Sequence, residues 1–318
     1  MTFHTEIEIP RLPLGIDYTT QILAMGSCFA ERVAERLRCA KFRAELSPTG
    51  ILFNPASIVR TLTAFIEGAE PDGRMIVERE GRYVSLMAHS AIAGDSREQA
   101  VDALLKAYRE GGQAVRNADV LILTFGTAWV YTLPSGEVVA NCHKQPQRNF
   151  LRRRLSVAEI VGLFRPLLAG AFRDKRVLLT VSPVRHLGDG LAENALSKAT
   201  LRVAAEELCA EFDNVCYFPA YECMVDDLRD YRFYGVDMVH PSEQAVDYIW
   251  EKFTRCALTP KALELLPRVA KVVTAAAHRA SNPDSAEYAE FCRRNLDIIE
   301  SMPEVDFSEE KALFSSKI

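Results

Sequence analysis

Two short stretches of the chain carry side chains that cooperate in nucleophilic catalysis. Ser27 lies in a Gly-Ser turn between the apolar run 21–25 and an amphipathic segment, where unpaired backbone N–H groups would face a substrate. Asp237 and His240 are three residues apart, directly before Pro241 and a helical segment. In a loop, this spacing lets the carboxylate fix the tautomer of the imidazole, whose other nitrogen can take a proton from a serine. The chemistry that these residues could support is acyl transfer.

Each of these features also has a simpler structural interpretation. Serine is a preferred N-cap residue, so Ser27 taken alone is more readily a helix cap than a nucleophile. Asp237 and His240, taken alone, would be ordinary surface residues near a helix start. Cys28 competes with Ser27, because a thiol at a helix N-terminus has a lowered pKa and can be a nucleophile. Cys28 lies about 100° around the helix from Ser27, so both cannot face His240, and we expect Cys28 to pack beneath the turn.

The elements around these residues alternate between apolar runs and amphipathic segments. This pattern predicts an α/β fold, a three-layer αβα sandwich with a mostly parallel, flavodoxin-like sheet. Functional residues of such sheets lie beyond the carboxyl ends of the strands, where Ser27, Gly126 and the stretch 182–186 fall. The predicted strands are 21–25, 120–125, 176–181 and 214–218, and the predicted helices are 29–37, 56–68, 96–111, 157–169, 197–212 and 241–253.

Two hairpins and an entry segment lie outside this alternation. Turn residues at 80–81 and at 134–136 separate short segments that alternate between apolar and polar residues, which predicts a hairpin at each place. The segment 7–17 is punctuated by prolines, and we expect it to wrap the surface of the protein.

The C-terminal part of the chain is predicted to be helical only. One helix start is expected at Thr259, another at 282–285, and the residues from Pro303 are expected to fray. We therefore divide the chain into an α/β domain (1–258) and a C-terminal helical extension (259–318). The extension is expected to pack either on the α/β domain or on a second subunit. In the second case, the protein would be a homo-oligomer.

Composition and charge exclude several classes of protein. The chain has 318 residues, 48% of them hydrophobic and 25% charged, as in ordinary globular proteins. A net charge of −5 gives no basic footprint for nucleic acid, and no apolar stretch is as long as a membrane helix needs. We expect no signal peptide, so the eight scattered cysteines are expected to be reduced thiols in a cytoplasmic protein. Neither metal-ligand spacing nor a Gly-rich phosphate loop occurs, so no cofactor is expected.

The chain resembles the GSCFA family, whose naming motif stands complete at 26–30. More broadly, it resembles the SGNH (GDSL-like) hydrolases, in which a Gly-Ser turn follows the first strand and Asp-x-x-His precedes the last helix. The resemblance spans roughly residues 20–255 in the order of the family, and it is specific for the family but not for a substrate. The other stretches that carry it are 50–55, 126–131, 141–144, 182–186 and 230–242.

The SGNH resemblance implies a role for each member of a Ser-His-Asp triad. Ser27 would be the nucleophile, His240 the general base and acid, and Asp237 the residue that orients His240. The Ser27 backbone N–H would contribute to the oxyanion hole. Gly50 loosely matches the glycine that usually provides a further donor.

The sequence departs from the SGNH pattern directly after the predicted strand 120–125, at the block that follows the third strand of those enzymes. Those enzymes commonly carry Gly-x-Asn-Asp there, and the asparagine completes the oxyanion hole. This chain has Gly126, Thr127 and then Ala128 at the position of the asparagine. The loss of one such donor costs on the order of 10²–10³ in rate. Thr127, Asn54 or His143 are the candidates to replace it.

Three further residues near the predicted site have both functional and structural interpretations. His143 follows a strand-like run, and a binding role and a role in a turn are equally well supported. Arg185 follows a strand end and could hold an anionic group of the substrate. His186 is its neighbour in the sequence. A structural role is favoured for both residues. His89, at a hairpin end, is a weaker candidate.

We expect a serine esterase of the SGNH type that cleaves an ester through an acyl-enzyme on Ser27. The expected partner is a small-molecule or glycan ester. A carbohydrate O-acyl ester is favoured by analogy with esterases that share a Gly-x-x-Trp third block. Two alternatives remain open. One is a ligand-binding module of the same fold that lost efficient turnover, and the other is a thiol enzyme that uses Cys28.

Overall fold

The secondary structure is taken from a computed structural model that describes residues 5–278, 282 and 284–318. The strands are β1 (Gln21–Gly26), β2 (Arg43–Leu46), β3 (Ile76–Arg79), β4 (Arg82–Ser85), β5 (Ala93–Gly94), β6 (Val120–Phe125), β7 (Trp129–Thr132), β8 (Val138–Val139), β9 (Leu151–Arg154), β10 (Arg176–Val181) and β11 (Val215–Tyr217). The α-helices are α1 (Cys28–Cys39), α2 (Pro55–Glu67), α3 (Arg97–Asn117), α4 (Val157–Ala169), α5 (Leu191–Glu211), α6 (Ala220–Glu222), α7 (Glu243–Ala257), α8 (Pro260–Ala277), α9 (Ala286–Glu300) and α10 (Ser308–Ser315).

The central sheet consists of parallel strands in the order β11-β10-β6-β1-β2. Numbered among themselves, these strands follow the flavodoxin-like order 2-1-3-4-5. The predicted α/β fold with a mostly parallel sheet is therefore confirmed. The strand order reverses between β1 and β6, and ligands of such sheets bind outside the carboxyl ends of the strands at this switch point. The end of β1 is Gly26, directly before Ser27.

Both faces of the central sheet are buried, because alternate residues of each strand point to opposite sides. Leu23 and Met25 of β1 join an apolar cluster with residues of α2, α3, α4 and α5. Ile22 and Ala24 join a second cluster on the other face, with residues of α1, α7 and the C-terminal helices. Helices thus cover the sheet on both sides and form the three predicted layers.

Two smaller antiparallel sheets contain the predicted hairpins. Strands β3 and β4 pair around the turn at 80–81, and β7 and β8 pair around the turn at 134–136, as expected. Strand β9 pairs with the other side of β7 and was not predicted. The edge strand β2 was not predicted either. The entry segment is more buried than predicted, because Leu12 and Ile16 lie in the core and the Leu12 N–H donates to the Cys256 carbonyl at 2.9 Å.

The C-terminal residues form helices that pack on the second cluster. The predicted starts are confirmed at Thr259 and Ser285, which cap α8 and α9, while Pro283 of the second predicted start lies outside the described residues. The prediction that the chain frays from Pro303 is wrong. Residues 308–315 form α10, and Phe314 is fully buried with its ring against that of Phe291. None of the described helices is long and apolar enough to cross a membrane.

Candidate functional site

Ser27 occupies the tight turn between β1 and α1. A Cβ on Gly26 would lie 2.1 Å from the Thr124 carbonyl oxygen, and Gly26 has a φ of +134°, so this turn requires glycine. The Ser27 N–H donates to that same carbonyl at 3.0 Å, and the Ser27 Oγ accepts from the Phe29 N–H at 3.3 Å. Ser27 is therefore the N-cap of α1, and only 1% of it is exposed. Its backbone N–H, expected in the oxyanion hole, is engaged within the sheet.

Asp237 and His240 form a short hydrogen bond in the loop before α7. Asp237 Oδ2 lies 2.6 Å from His240 Nδ1, and Asp237 Oδ1 accepts the N–H groups of Val239 and His240, each at 3.0 Å. The bond to the His240 ring, together with these two N–H donors, lowers the pKa of Asp237 to about 2. The carboxylate therefore stays charged and orients the imidazole, which leaves His240 Nε2 free for a proton transfer.

Arg185 holds this loop from the end of β10. Its backbone N–H donates to the Val239 carbonyl and its guanidinium to the Met238 carbonyl, both at 3.1 Å. The guanidinium also lies over the rings of Tyr231 and Tyr234, at 5.5 and 5.1 Å from their centroids. The contacts of Arg185 are therefore those of a residue that positions the Asp237–His240 loop. The sequence favoured a structural role for Arg185 and also allowed a contact with the substrate.

The structure brings Ser27 and the Asp237–His240 pair to the same edge of the sheet. Among the described residues, no hydrogen bond joins the Ser27 Oγ to His240. His186 lies close to both. A positive charge on His240 lowers the pKa of His186, and a Cβ on Gly126 would lie 3.2 Å from Ser27 Cβ and 3.4 Å from His186 Nε2.

His186 carries a buried nitrogen without a partner. Its Nε2 has no hydrogen-bond partner among the described residues, although the Gly126 carbonyl is near enough to favour a proton on the ring. Burial lowers the pKa of His186 to about 4, and the charges of Lys198 and His240 contribute to the shift. The ring is thus neutral at neutral pH. An unsatisfied polar atom of this kind is uncommon in proteins and often has a functional reason.

Lys198 of α5 lies completely buried beneath these residues. Its Nζ donates to the carbonyls of Gly126 and Ser182, both at 2.7 Å, and so ties together the residues that follow β6 and β10. Burial lowers the pKa of Lys198 to about 7. Sequence reasoning missed this residue, because a lysine in an amphipathic helix ordinarily faces solvent. No signal in the sequence distinguishes it.

The buried Lys198 predicts a pH-dependent contribution to stability. Between about pH 7 and the ordinary lysine pKa of about 10.4, the unfolded chain binds a proton that the folded chain has released, so the free energy of unfolding rises with pH. In Lys198→Met this contribution is absent. The rise from pH 7 to pH 8.5 should be smaller than in the wild type, by up to about 1.4 kcal/mol per pH unit.

Urea unfolding at both pH values measures this difference. Lys106→Met is the matched control, because the Lys106 side chain is 77% exposed on α3 and its replacement should leave the pH dependence unchanged. Equal pH dependence in the wild type and in Lys198→Met would show that Lys198 is buried with its charge.

Cys28 is half-buried beside Lys198 at the start of α1. Burial raises the pKa of the Cys28 thiol, and the nearby backbone N–H groups and the Lys198 charge offset only part of this rise. The lowered pKa on which the thiol-enzyme alternative depends is therefore not found.

A cavity of about 510 Å³ opens beside His186. Asn54 and Thr127, two of the residues proposed to replace the missing asparagine, line it. The Asn54 Oδ1 caps α2 by accepting the Ser57 N–H at 2.8 Å, and the Thr127 hydroxyl is hydrogen-bonded to Ser197 at 3.1 Å. The other lining residues are aromatic or carry amide groups for the most part: Phe53, Trp129, Tyr131, Val139, Ala140, Asn141, Cys142, Lys144, Gln145, Gln147 and Phe150.

The other predicted site residues do not line this cavity: Ser27, Asp237, His240, Gly50, Gly126, His143 and Arg185. The Gly50 N–H donates to the Ser47 carbonyl at 2.9 Å, within a turn. His143 is buried, its Nε2 lies 2.7 Å from the Ser85 carbonyl oxygen, and burial lowers its pKa. Gly126 lies next to Ser27, but its N–H and that of Thr127 both donate to the Phe53 carbonyl at 2.9 Å. The contacts of Gly50, His143 and Gly126 are thus structural ones.

Comparisons with known proteins identify a family but no activity. None of the curated proteins matches the chain. A solved structure from Streptococcus pneumonia, whose description links it to platelet activating factor, is similar to it with 13% identity, a TM-score of 0.38, and coverage of 74% of this chain and 83% of that one. Residues 269–318 match the "GSCFA domain protein, C-terminal domain". Residues 21–253 match the GSCFA family itself, which is most of the chain, and the protein therefore belongs to the GSCFA family.

Proposed function

We propose that this GSCFA protein is a serine esterase of the SGNH type, with Ser27, His240 and Asp237 as its triad. The observation that carries the proposal is the 2.6 Å hydrogen bond between Asp237 Oδ2 and His240 Nδ1. It provides an oriented imidazole at the sheet edge where Ser27 begins a helix. A nucleophile, a base and a residue that orients the base are the three parts that acyl transfer needs.

In the proposed reaction, His240 Nε2 takes the proton of Ser27 as Ser27 Oγ bonds to the ester carbonyl carbon. The carbonyl electron pair moves to the oxygen and forms an oxyanion. When this intermediate collapses, the bond to the alcohol breaks, and His240 gives the proton to the leaving oxygen. Water then attacks the acyl-enzyme with His240 again as base, which releases the carboxylic acid and restores Ser27.

The gap between Ser27 and His240 must close for this reaction. His240 lies in the loop 234–241, in which Val236 is fully exposed and Met238 has a φ of +57°. Catalytic hydrogen bonds are often long in ligand-free enzymes and shorten in the substrate complex. We propose that a bound ester draws this loop toward Ser27.

The cavity beside His186 supports a carbohydrate ester as the substrate. Sugars present apolar ring faces and many hydroxyl groups, and the cavity combines aromatic side chains with side-chain amides. Its volume of about 510 Å³ lies within the range of small-molecule sites. Trp129 lines this cavity, and its Nε1–H has no partner among the described residues, which supports a polar ligand there.

We also propose that the enzyme works in a reducing compartment such as the cytoplasm. All eight cysteines of the chain are free thiols, which supports this location.

A ligand-binding module of the same fold is the second candidate. The burial of Ser27 and the absence of a hydrogen bond to His240 among the described residues favour it. In such a protein, the cavity would hold a ligand without any activation of Ser27. The Cys28 thiol enzyme has less support, because burial raises the pKa of that thiol.

Labelling with a fluorophosphonate probe, followed by peptide mapping, distinguishes these candidates. We expect the probe to phosphonylate Ser27 in the wild type, because only an activated serine attacks the phosphorus. In His240→Ala, labelling should fall at least about 10²-fold, since the general base is lost. Circular dichroism of both proteins checks that they are folded.

The other outcomes each favour a different candidate. A folded wild type without label would favour the binding module, and label on Cys28 would favour the thiol enzyme. Equal labelling in His240→Ala would contradict the proposed role of His240.

A further inference from the structure

An esterase of this type needs hydrogen-bond donors for the oxyanion, and four backbone N–H groups near Ser27 are already engaged. The Ser27 N–H donates to Thr124, and the Gly50 N–H donates to Ser47. The N–H groups of Gly126 and Thr127 share the Phe53 carbonyl. The missing asparagine would donate from its side chain, and a side chain at the switch point can take over that role.

His186 provides such a side chain. Its Nε2 is buried and has no partner among the described residues, and a Cβ added to Gly126 would lie within 3.4 Å of both this nitrogen and Ser27 Cβ. The ring also lines the cavity that we propose for the substrate. The ring makes an edge-on contact with Phe53, at 5.9 Å between ring centroids, and the backbone N–H of His186 donates to Asn194 Oδ1 at 3.0 Å.

We propose that His186 donates a hydrogen bond from Nε2 to the oxyanion that forms on the acyl group attached to Ser27. It thus takes the place of the asparagine that Ala128 replaces in the SGNH pattern. This inference rests on the proposed esterase function. It assigns a catalytic role to a residue for which the sequence favoured a structural one.

The surroundings of His186 favour the tautomer that this role requires. The Gly126 carbonyl oxygen is close enough to the ring to favour a proton on it, and we place that proton on Nε2. Lys198 already donates to that carbonyl, which leaves the Nε2–H of His186 available to a substrate oxygen. A neutral imidazole can stabilise a developing oxyanion and keep its proton, as in triosephosphate isomerase. In each step of the reaction the transferred proton moves on His240, and His186 donates a hydrogen bond only.

The variant His186→Phe tests the inference, because phenylalanine keeps a flat ring beside Phe53 but has no N–H. With p-nitrophenyl acetate as the probe, we expect kcat and kcat/KM to fall together by about 10²–10³, with KM nearly unchanged. His186→Gln retains an amide donor with similar reach, and should recover activity to within about tenfold of the wild type. His278→Phe, at an exposed histidine after α8, is the control for the same substitution and should retain full activity.

The outcomes distinguish failure of this inference from failure of the esterase proposal. A wild type without label on Ser27 and without hydrolysis would overturn the esterase function, and with it the role of His186. A labelled and active wild type, together with a folded His186→Phe variant of equal kcat, would overturn the role of His186 alone. A pH–rate profile that loses its rising limb in His186→Phe would instead make His186 the general base and also contradict the inference. If the kcat of His186→Gln were no higher than that of His186→Phe, the donor role of His186 would be contradicted.

Discussion

Replacement of Ser27 with alanine should lower kcat for p-nitrophenyl acetate by roughly 10⁶, because a triad without its nucleophile retains only binding and electrostatic stabilisation. Fluorophosphonate labelling should disappear together with hydrolysis. Since Ser27 also caps α1, the variant should lose about 1 kcal/mol of stability and remain folded. Steady-state kinetics and thermal unfolding of the same preparation measure both effects.

The control for Ser27→Ala is a serine that only caps a helix. Ser96 caps α3 by accepting the Gln99 N–H, and it does not line the cavity. Ser96→Ala should show a similar loss of stability with unchanged kcat. A Ser27→Ala variant that still hydrolyses the ester at the wild-type rate would remove Ser27 from the mechanism.

Asp237→Asn should lower kcat by about 10⁴ without a comparable change in KM. The asparagine Oδ1 can still accept the N–H groups of Val239 and His240, so the loop keeps these contacts. At the position of Oδ2, however, an amide would donate to His240 Nδ1 and reverse the tautomer. His240 Nε2 would then carry the proton and could not take one from Ser27.

A second aspartate near the same loop provides the matched control. Asp230 accepts the Arg232 N–H at 2.8 Å and makes no hydrogen bond to His240 among the described residues. Asp230→Asn should therefore leave kcat within a few-fold of the wild type. If Asp237→Asn were equally mild while the protein stayed folded, the Asp237–His240 bond would be structural only.

The buried strands could be predicted from sequence because burial on both faces produces continuous apolar runs, as in β6 and β10. The missed strands lack this signal. β2 lies at the edge of the sheet and carries Arg43 and Glu45, and the LRRR segment of β9 is mostly exposed. Helix α10 was missed because its apolar residues are few, so its stability comes from tertiary contacts such as that of Phe314 with Phe291.

The parts of the site differ in the same way. Ser27 and the Asp237–His240 pair could be proposed from sequence because each lies in a short motif with characteristic spacing. Lys198 is far from both motifs in the chain, and only the fold places its Nζ under Gly126. The sequence could name His186, but it could not show that its Nε2 lies unsatisfied beside Ser27.

The second apolar cluster joins both ends of the described chain. Leu12 and Ile16 lie in it together with Phe307 and Phe314, and Lys41 after α1 pairs with Glu310 of α10 at 2.6 Å. During synthesis on the ribosome, the apolar surface that Phe307 and Phe314 cover within this cluster therefore stays exposed until these residues have emerged. A nascent chain that stalls before Phe307 would expose this surface to chaperones and to aggregation, even with the strands of the central sheet already made.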